Sequence, residues 1–474
     1  MLQVLFLAQH FFYLSLLLFA IHEIVFKQRW IYLIVFLIFF LPNYFSLHAV
    51  IYNATGSTVL SIFWKILKEV LILFVVIMMI LTARRDRIKV PRLTLVDWIY
   101  VGFLSLVLLY FILPIGPVSY INKLLYVRSI LVPAAMYFIG RNMVLNQQDQ
   151  NVLVIALCSL VFLTFAINFF EFSSGIHYQK LIGWAKYDFD ILETEPQGYY
   201  GLGWNFERGP NSPRFAAFYS NSLEAGASTI LVFASSLFLM WYAKPINNKI
   251  VFGSAILMCV FANYLAFSRA ALVGLFSTLF MAAIFFRYYR LILLAGVILV
   301  FSILAVYFFA DDILKFYLID TITFRQASSL GHLLEWIRGF QVMLTDPLGI
   351  GLATSGNAAG VEEAVKVGGE SQIIAYGVQM GFPGVGLYLC LLASILWVCF
   401  QVFRRANKIE DKYFPFVAGL TKFGLLLPLF TTVAENFLFL SYVSWWMVGY
   451  TVTLYQKYRN QGSIIPRSQP ELDQ

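Results

Sequence analysis

Charged residues are scarce in this chain, and their scarcity excludes most soluble folds. Only 12% of the 474 residues are Asp, Glu, Lys or Arg, whereas 60% are hydrophobic and 18% are aromatic. Soluble domains carry about 25% charged residues and roughly 45–50% apolar residues. Together with a mean hydropathy of +0.78, this composition indicates a multi-spanning membrane protein without a separate soluble domain.

Cysteine is also rare, and the N-terminal residues are expected to form a retained span and not a cleaved signal peptide. All four cysteines lie in apolar segments, where they behave as small hydrophobes, so we expect neither a disulfide framework nor a metal site. The first 25 residues lack a basic start and a small-residue cleavage site, which favours a retained span. The net charge of +8 comes from basic residues in short loops between apolar runs, so we expect no nucleic-acid partner.

Windows of about 20 apolar residues predict an all-α fold with about thirteen transmembrane helices. These spans lie near 3–25, 30–50, 60–83, 95–114, 122–140, 152–172, 221–243, 250–267, 270–287, 291–310, 382–403, 414–433 and 437–455. They divide the chain into N-terminal helices (1–173), a first loop (174–220), central helices (221–310), a large loop with amphipathic helices (311–381), C-terminal helices (382–456) and a tail (457–474).

Basic residues predict the orientation of these spans. Lys27 and Arg29 follow the first span, Arg84 and Arg85 follow the third, and Arg141 follows the fifth. Because loops rich in Lys and Arg stay in the cytoplasm, we expect the N-terminus outside, the C-terminus inside and both long loops outside. Loops of this length are uncommon unless they are functional, so the sequence predicts a site on the extracytoplasmic face.

The first long loop and the hairpin that follows it contain three candidate anion ligands. Arg208 and Arg214 precede the span at 221, and Arg269 lies between two spans with almost no loop. A guanidinium can bind phosphate in a bidentate manner, but it can also anchor a helix end at the interface. Asn221, at the start of the span, either lines a cavity or caps the helix. Arg269 is expected to pair with a carboxylate or a phosphate.

The second long loop contains an amphipathic helix and a polar motif. Residues 330–344 place the apolar residues Leu333, Trp336, Phe340 and Met343 at helical intervals, which predicts a helix on the surface. This helix carries His332 and Arg338. Further on, Glu370 and Ser371 follow two glycines and precede an apolar helix. Glu370 either belongs to ordinary helix-start chemistry or acts as a general base beside an anion site. The residues alone leave both possibilities open.

Four motifs in order resemble the O-antigen ligase and polymerase superfamily of bacterial glycosyltransferases. They are RFAAFYSNSLEAGAS (214–228), AFSRAALVG (266–274), GHLLEWIRGFQVMLTDPLGIGLATSG (331–356) and GGESQIIAYGVQMGFPGVGLYL (368–389). The resemblance covers about residues 200–405. It implies a GT-C type fold in the bacterial inner membrane, with an active site on the outer face and sugars carried on undecaprenyl diphosphate as substrates.

The same resemblance implies roles for particular residues. Arg214 and Arg269 correspond to the arginines that hold the donor diphosphate, and His332 stands where the family often has an arginine four residues before tryptophan. Phosphate binding there would instead come from Arg325 or Arg338. Asn221 matches the first residue of a family Asn-Pro-Asn motif whose other two residues are replaced here by Ser222 and Leu223.

Glu370-Ser371 resembles the polysaccharide polymerases more than the ligases, which typically present a histidine with an asparagine. The implied reaction transfers a growing glycan from undecaprenyl diphosphate to a sugar hydroxyl of another lipid-linked unit. Glu370 would be the base, with inversion and without a metal or other cofactor, and a chain-length regulator would be a possible partner.

The alternatives are an O-antigen ligase acting on lipid A core and a membrane transporter of lipid-linked sugars. A transporter needs intramembrane charges along a path. Lys65, Lys68 and Arg128 are the conspicuous candidates. They can contact diphosphate or serve as interface anchors, and we favour the anchors.

Overall fold

The computed structural model describes residues 2–85, 92–209, 212–243, 246–290, 327–356, 367 and 369–462, with isolated positions between 292 and 308. Described helices are α1 (Leu2–Lys27), α2 (Ile31–Phe40), α3 (Tyr44–Thr55), α4 (Thr58–Arg85), α5 (Leu95–Ile112), α6 (Tyr120–Asn142), α7 (Gln147–Ser174), α8 (Tyr178–Leu181), α9 (Trp184–Leu192), α10 (Ser222–Tyr242), α11 (Ile246–Ala266), α12 (Arg269–Phe285), α13 (Ala327–Thr345), α14 (Gln372–Arg405), α15 (Ile409–Gly424), α16 (Pro428–Thr431) and α17 (Leu438–Gly462). Strands β1 (Glu207–Gly209) and β2 (Ser212–Pro213) form one short antiparallel ladder.

The lengths and composition of these helices make the chain a multi-pass membrane protein. Within the described ranges, nine helical segments are long and apolar enough to cross a membrane, or ten if the bent pair α2 and α3 counts as one span. The predicted all-helical membrane class is therefore confirmed. The count of about thirteen spans stays a prediction, and the span predicted near 291–310 lies largely outside the described residues.

The span predicted near 30–50 is broken. Helices α2 and α3 are bent by 59°, and Pro42 lies in the break, where its missing N–H and its ring disfavour a continuous helix. The bend brings α3 to the first long loop: Ser46 Oγ donates to Phe218 O at 2.8 Å, and Asn53 Nδ2 donates to Gly183 O at 2.8 Å.

Helix α17 lies in the middle of the bundle and crosses α6 at very close range. A Cβ atom added at Gly140 would overlap the main-chain oxygen of Trp446, and one added at Gly449 would overlap that of Tyr137. Small residues at such crossings let helix backbones approach in a membrane, where packing holds helices together. Trp446 is fully buried as a result.

One face of the bundle, here called the basic face, collects the basic ends of several helices. Ion pairs at this face connect different helices: Arg29 Nη2, in the turn between α1 and α2, lies 2.7 Å from Asp149 Oδ1 of α7, and Arg141 Nε of α6 lies 3.3 Å from Asp97 Oδ1 of α5. The first pair joins residues 120 positions apart in sequence, and the second joins consecutive helices. The basic residues in the last turns of α1, α4, α6 and α14 are Lys27, Arg84, Arg85, Arg141, Arg404 and Arg405.

The opposite face, here called the long-loop face, carries the described parts of the two long loops, residues 175–221 and 346–371. Contacts with helix ends hold these loops in place. Phe215 N donates to Leu265 O at 3.0 Å, at the turn between α11 and α12, and a Cβ atom at Gly116 would overlap Ile350 O. All described candidate site residues belong to these loops or to helix segments next to them.

Candidate functional site

Helix α13 confirms the helix predicted at 330–344, and it packs on the first part of α14 through glycines. A Cβ atom at Gly339 would overlap the Ile374 side chain, and one at Gly377 would overlap the Met343 sulfur. The predicted apolar face is only partly the packed one, because Met343 is 4% exposed whereas Phe340 is 50% exposed. Phe340 belongs instead to an exposed apolar stripe, formed by Leu330, Leu334, Ile337, Phe340 and Leu344.

Helix α14 begins at Gln372, ten residues before the span predicted from 382, and it is interrupted at Gly381 (φ 64°, ψ −161°). The loop after α13 crosses this interruption. Ile350 N donates to Val378 O at 2.8 Å, and Phe382 N donates to Pro347 O at 3.0 Å. Gly381 is required here because its positive φ and its contact with the Pro347 carbonyl leave no room for a Cβ atom.

The buried side chain of Gln379 fixes the rest of that loop. Its Nε2 donates to Tyr126 Oη at 2.9 Å and to Ser355 O at 3.0 Å, and its Oε1 accepts from Ala353 N at 2.9 Å. One amide thus connects α6, α14 and the loop. The loop and the N-terminal segment of α14 therefore form a single packed unit on the long-loop face.

Glu370 lies at the start of this unit, and Ser371, not Glu370, caps the helix. Ile374 N donates to Ser371 Oγ at 3.3 Å, so the capping function is already supplied. Glu370 Oε2 instead lies 3.4 Å from His332 Nδ1 on α13. The side chains of His332 and Glu370 are 23% and 52% exposed, so the pair is open to a ligand.

Glu335 joins this pair, and the sequence reading did not single it out. His332, Glu335 and Glu370 each offer a ligand atom, and these atoms lie within 4.8 Å of one another. One imidazole nitrogen and two carboxylate oxygens can hold a divalent cation or pass a proton. The i, i+3 spacing of His332 and Glu335 was the available signal, since it places both on adjoining positions of one helix.

A short helix, α16, contacts the elements that carry His332, Glu335 and Glu370. Trp336 Nε1 donates to Phe430 O at 2.8 Å, and Ser371 Oγ donates to Leu429 O at 3.2 Å. Helix α12, which starts at Arg269, also packs against α16. The helix carrying His332, the loop carrying Glu370 and the helix that begins at Arg269 therefore share one neighbour.

The elements that carry the three arginines meet at the turn between α11 and α12. Arg214 directly precedes Phe215, whose N–H binds Leu265 O. The Arg208 guanidinium carbon lies 5.7 Å from the centroid of the Phe267 ring, and Arg269 follows Ser268, the N-cap of α12. The structure thus places Arg208, Arg214 and Arg269 around one hairpin, and their shared role as anion ligands stays a prediction.

A buried carboxylate holds the loop that follows Arg214. Glu171 Oε2 accepts from Ala217 N at 2.9 Å, and Glu171 Oε1 accepts from Tyr178 N at 2.9 Å. Gln179 Nε2 donates to Ala217 O at 2.8 Å. The sequence reading left Glu171 inside the predicted span 152–172, where its role as an acceptor for loop amides could not be seen.

His177 lies beneath the same loop. Its ring centroid is 4.9 Å from that of Tyr200 and 5.0 Å from that of Phe215, and neither ring nitrogen has a hydrogen-bond partner among the described residues. Burial, assisted by the charge of Lys180, lowers the pKa of His177 to about 4. The loop therefore packs on a neutral imidazole.

The remaining predicted residues lie elsewhere. Asn221 caps α10, since its Oδ1 accepts from Glu224 N at 2.9 Å, which is one of its two expected roles. Arg338 is exposed, and its position six residues after His332 puts it about 120° around α13. Arg325 lies outside the described residues.

A second polar group lies inside the bundle, and sequence reasoning missed it. Lys422 Nζ and Tyr388 Oη each lie 3.1 Å from Glu435 Oε1, while Trp445 Nε1 donates to Glu435 Oε2 at 2.7 Å. A cavity of about 20 Å³, large enough for one water, adjoins this group. Its polar lining residues include Gln372, Tyr376, Tyr388, Glu435, Asn436 and Trp445, so it lies between the first turn of α14 and Glu435.

The fold and these sites define the class of the protein: an all-helical, multi-pass membrane protein with a cluster of titratable side chains on its long-loop face. Its sequence matches no protein-family model and no curated protein sequence.

Proposed function

We propose that this protein is a glycosyltransferase that polymerises lipid-linked oligosaccharide repeat units of an O-antigen, capsule or exopolysaccharide. The observation that carries the proposal is the pairing of Glu370 with His332, 3.4 Å apart and open at the surface. A carboxylate released from helix capping and held beside an imidazole is suited to accept a proton from an incoming hydroxyl. The motif resemblance described above supports the same reaction class.

The proposal includes a location and an orientation. The chain resides in the bacterial inner membrane as a GT-C type protein with about thirteen spans, and the long-loop face is extracytoplasmic. The basic helix ends on the opposite face support this orientation, because Lys and Arg stay in the cytoplasm. A chain-length regulator in the same membrane is a further expected partner.

The reaction is a single displacement at the anomeric carbon of the donor sugar. The acceptor hydroxyl oxygen forms a bond to C1, its proton passes to Glu370, and the bond between C1 and the diphosphate oxygen breaks. Arg214 and Arg269 stabilise the departing diphosphate, with Arg208 at the same hairpin. His332 orients the Glu370 carboxylate, and the anomeric configuration is inverted.

The side chains of His332, Glu335 and Glu370 could hold a metal ion, whereas the proposed displacement needs none. Removing or adding metal therefore tests the proposed role of these three residues. Chain extension is expected to continue in the presence of EDTA and to gain less than about twofold from added Mg²⁺ or Mn²⁺. Loss of extension with EDTA and its recovery with one cation would reassign these three residues from proton transfer to metal binding.

Glu370→Gln tests the base directly. Purified protein in lipid receives one synthetic undecaprenyl-diphosphate repeat unit, and the products are separated by chain length. Removing a general base lowers rates by about 10²–10⁴-fold, so Glu370→Gln is expected to abolish extension while still binding the donor. Glu195→Gln, an exposed carboxylate in the first long loop, is the control.

Wild-type levels of polymer from Glu370→Gln would contradict the assignment of the base. A wild-type protein that leaves the repeat unit unchanged, yet transfers preformed polymer to lipid A core, would instead identify the ligase reaction.

A further inference from the structure

Three cations and one carboxylate lie together between α4 and α6. Lys68 Nζ lies 3.4 Å from Glu69 Oε1, and Arg128 Nε lies 3.7 Å from the same oxygen. Lys65 is one turn before Lys68, which donates to the Lys65 main-chain oxygen at 3.0 Å, and Lys65 is near enough to Arg128 for their charges to repel. These four residues, Lys65, Lys68, Glu69 and Arg128, are called the basic cluster below.

The basic cluster lies at a depth where charge is costly. Helix α4 starts at Thr58 and α6 starts at Tyr120 on the long-loop face. With a rise of 1.5 Å per residue, Lys65 lies about 10 Å, Arg128 about 12 Å and Lys68 about 15 Å from those helix starts. Because α4 is longer than a hydrocarbon core about 30 Å thick, its start lies at or outside the boundary of that core. These distances therefore place the cluster from the boundary to within the nearer leaflet, where charged groups require partners.

The described partners do not balance these charges. Three cations face the single carboxylate of Glu69, which leaves a formal charge of +3 − 1 = +2. Tyr44 supports Lys68 without adding charge: its hydroxyl accepts from Lys68 Nζ at 3.0 Å, and its ring centroid lies 4.2 Å from that nitrogen. The Arg128 side chain is 55% exposed, so the cationic surface is open to a ligand.

The surroundings indicate that this ligand comes from the lipid phase. Helix α4 exposes a run of large apolar side chains beside the cluster: Ile62, Phe63, Ile66 and Val70. A headgroup with a hydrocarbon tail can reach the cations along this apolar surface, whereas a free anion would have to leave water. A diphosphate bridging a lipid and a sugar carries two negative charges, which match the excess of two, and a phospholipid phosphodiester carries one.

We infer that the basic cluster binds the diphosphate of a polyprenyl-linked molecule, as a site separate from the arginines at the α11–α12 hairpin. This inference rests on the proposed function, in which two lipid-linked molecules are bound at once. Arg214 and Arg269 hold the donor, and the basic cluster holds the acceptor between α4 and α6. Its cations are thus ligands for a substrate, where the sequence favoured interface anchors.

Native mass spectrometry of the full chain with undecaprenyl diphosphate tests the site without any sugar transfer. Wild-type protein is expected to bind two molecules, and the double variant Lys65→Gln/Arg128→Gln to bind one, with at least about a tenfold loss of affinity at the lost site. Both replaced side chains are partly exposed, which spares the buried Lys68. Arg84→Gln, at the other end of α4, is the control and is expected to bind two.

Three outcomes would overturn the inference. One is unchanged stoichiometry and affinity in the double variant. A second is equal occupancy by phosphatidylglycerol, which would make the cluster a general phospholipid contact. The third is equal competition by inorganic diphosphate, which would remove the requirement for a lipid chain. Intact binding without chain extension would contradict the proposed reaction alone, so the two failures are distinguishable.

Discussion

Replacing Glu435 by glutamine leaves the ammonium group of Lys422 without its carboxylate inside the bundle. The Lys422 side chain is 1% exposed and that of Glu435 is 12% exposed, so bulk solvent does not replace the lost negative charge. Breaking a buried ion pair by removing one partner costs about 3–5 kcal/mol. We expect Glu435→Gln to lose stability in this range.

Lys422→Met is expected to cost less than Glu435→Gln. After that change the Glu435 carboxylate keeps three hydrogen-bond donors, namely Tyr388 Oη, Ser441 Oγ and Trp445 Nε1. Methionine also fills most of the lysine volume. In the double variant no unpaired charge remains, and the loss is expected to be at least about 2 kcal/mol smaller than the sum of the single losses.

The assay is unfolding of the purified protein in one detergent, followed by intrinsic fluorescence at a fixed heating rate. The expected order of apparent melting temperatures is wild type, Lys422→Met, then Glu435→Gln, with the double variant above Glu435→Gln. A Glu435→Gln protein that melts with the wild type would refute the buried ion pair. A double variant that melts below both single variants would refute the coupling.

Three further predictions concern the backbone and the loop. Gly381→Ala is expected to cost about 2–5 kcal/mol, because alanine strains the positive φ and overlaps the Pro347 carbonyl; Gly386→Ala, which has open space around it, is the control in the same melting assay. The free energy of unfolding of the wild type is expected to fall as the pH drops from about 6.5 toward 4, with a loss of about 2 kcal/mol at pH 5. The reason is that His177 has a pKa of about 4 in the folded chain but about 6.5 in the unfolded chain, so protonation favours the unfolded chain. His177→Phe should flatten that part of the pH profile of melting temperature, and a profile identical to the wild type would show that another group titrates. Gly449→Ala is expected to separate α17 from α6 and to lower the melting temperature by more than Gly386→Ala does.

The sequence predicted elements best where the membrane imposes a simple pattern. The spans predicted at 60–83 and 152–172 became helices α4 and α7, which extend at most five residues beyond the predicted limits, because only internally hydrogen-bonded segments are stable in lipid. The surface helix around His332 was found by its periodicity. Its packed face was partly misassigned, since contacts at Gly339 depend on the position of α14.

Breaks within or next to the predicted spans were harder to predict. Pro42 and Gly381 lie inside apolar stretches, and local composition does not say whether such a residue kinks a helix, ends it or is tolerated. At Gly381 the interruption is held open by hydrogen bonds to Pro347 and Ile350, which come from a loop about thirty residues earlier. That pairing is a tertiary contact and leaves no local signal.

In the candidate site, too, some residues could be named from the sequence and others only from the structure. His332, Arg214, Arg269 and Glu370 were named from the sequence because charged side chains are conspicuous in an apolar chain. Among the described residues, the structure added Glu335, which joins Glu370 only because α13 lies across the start of α14. It also showed that Ser371 forms the cap of α14, while the role of Glu370 as a base stays a prediction.

The sequence by itself determined that this protein is built from apolar helices and that it carries few charged residues. Those properties follow from composition and from the length of each apolar run, because each run can form a helix in lipid independently of the others. Only the tertiary structure decided which charges meet. Tertiary packing brings Lys422 to Glu435, and it brings Arg128 of α6 to Lys65, Lys68 and Glu69 of α4. The burial of these groups sets how strongly each charge needs its partner.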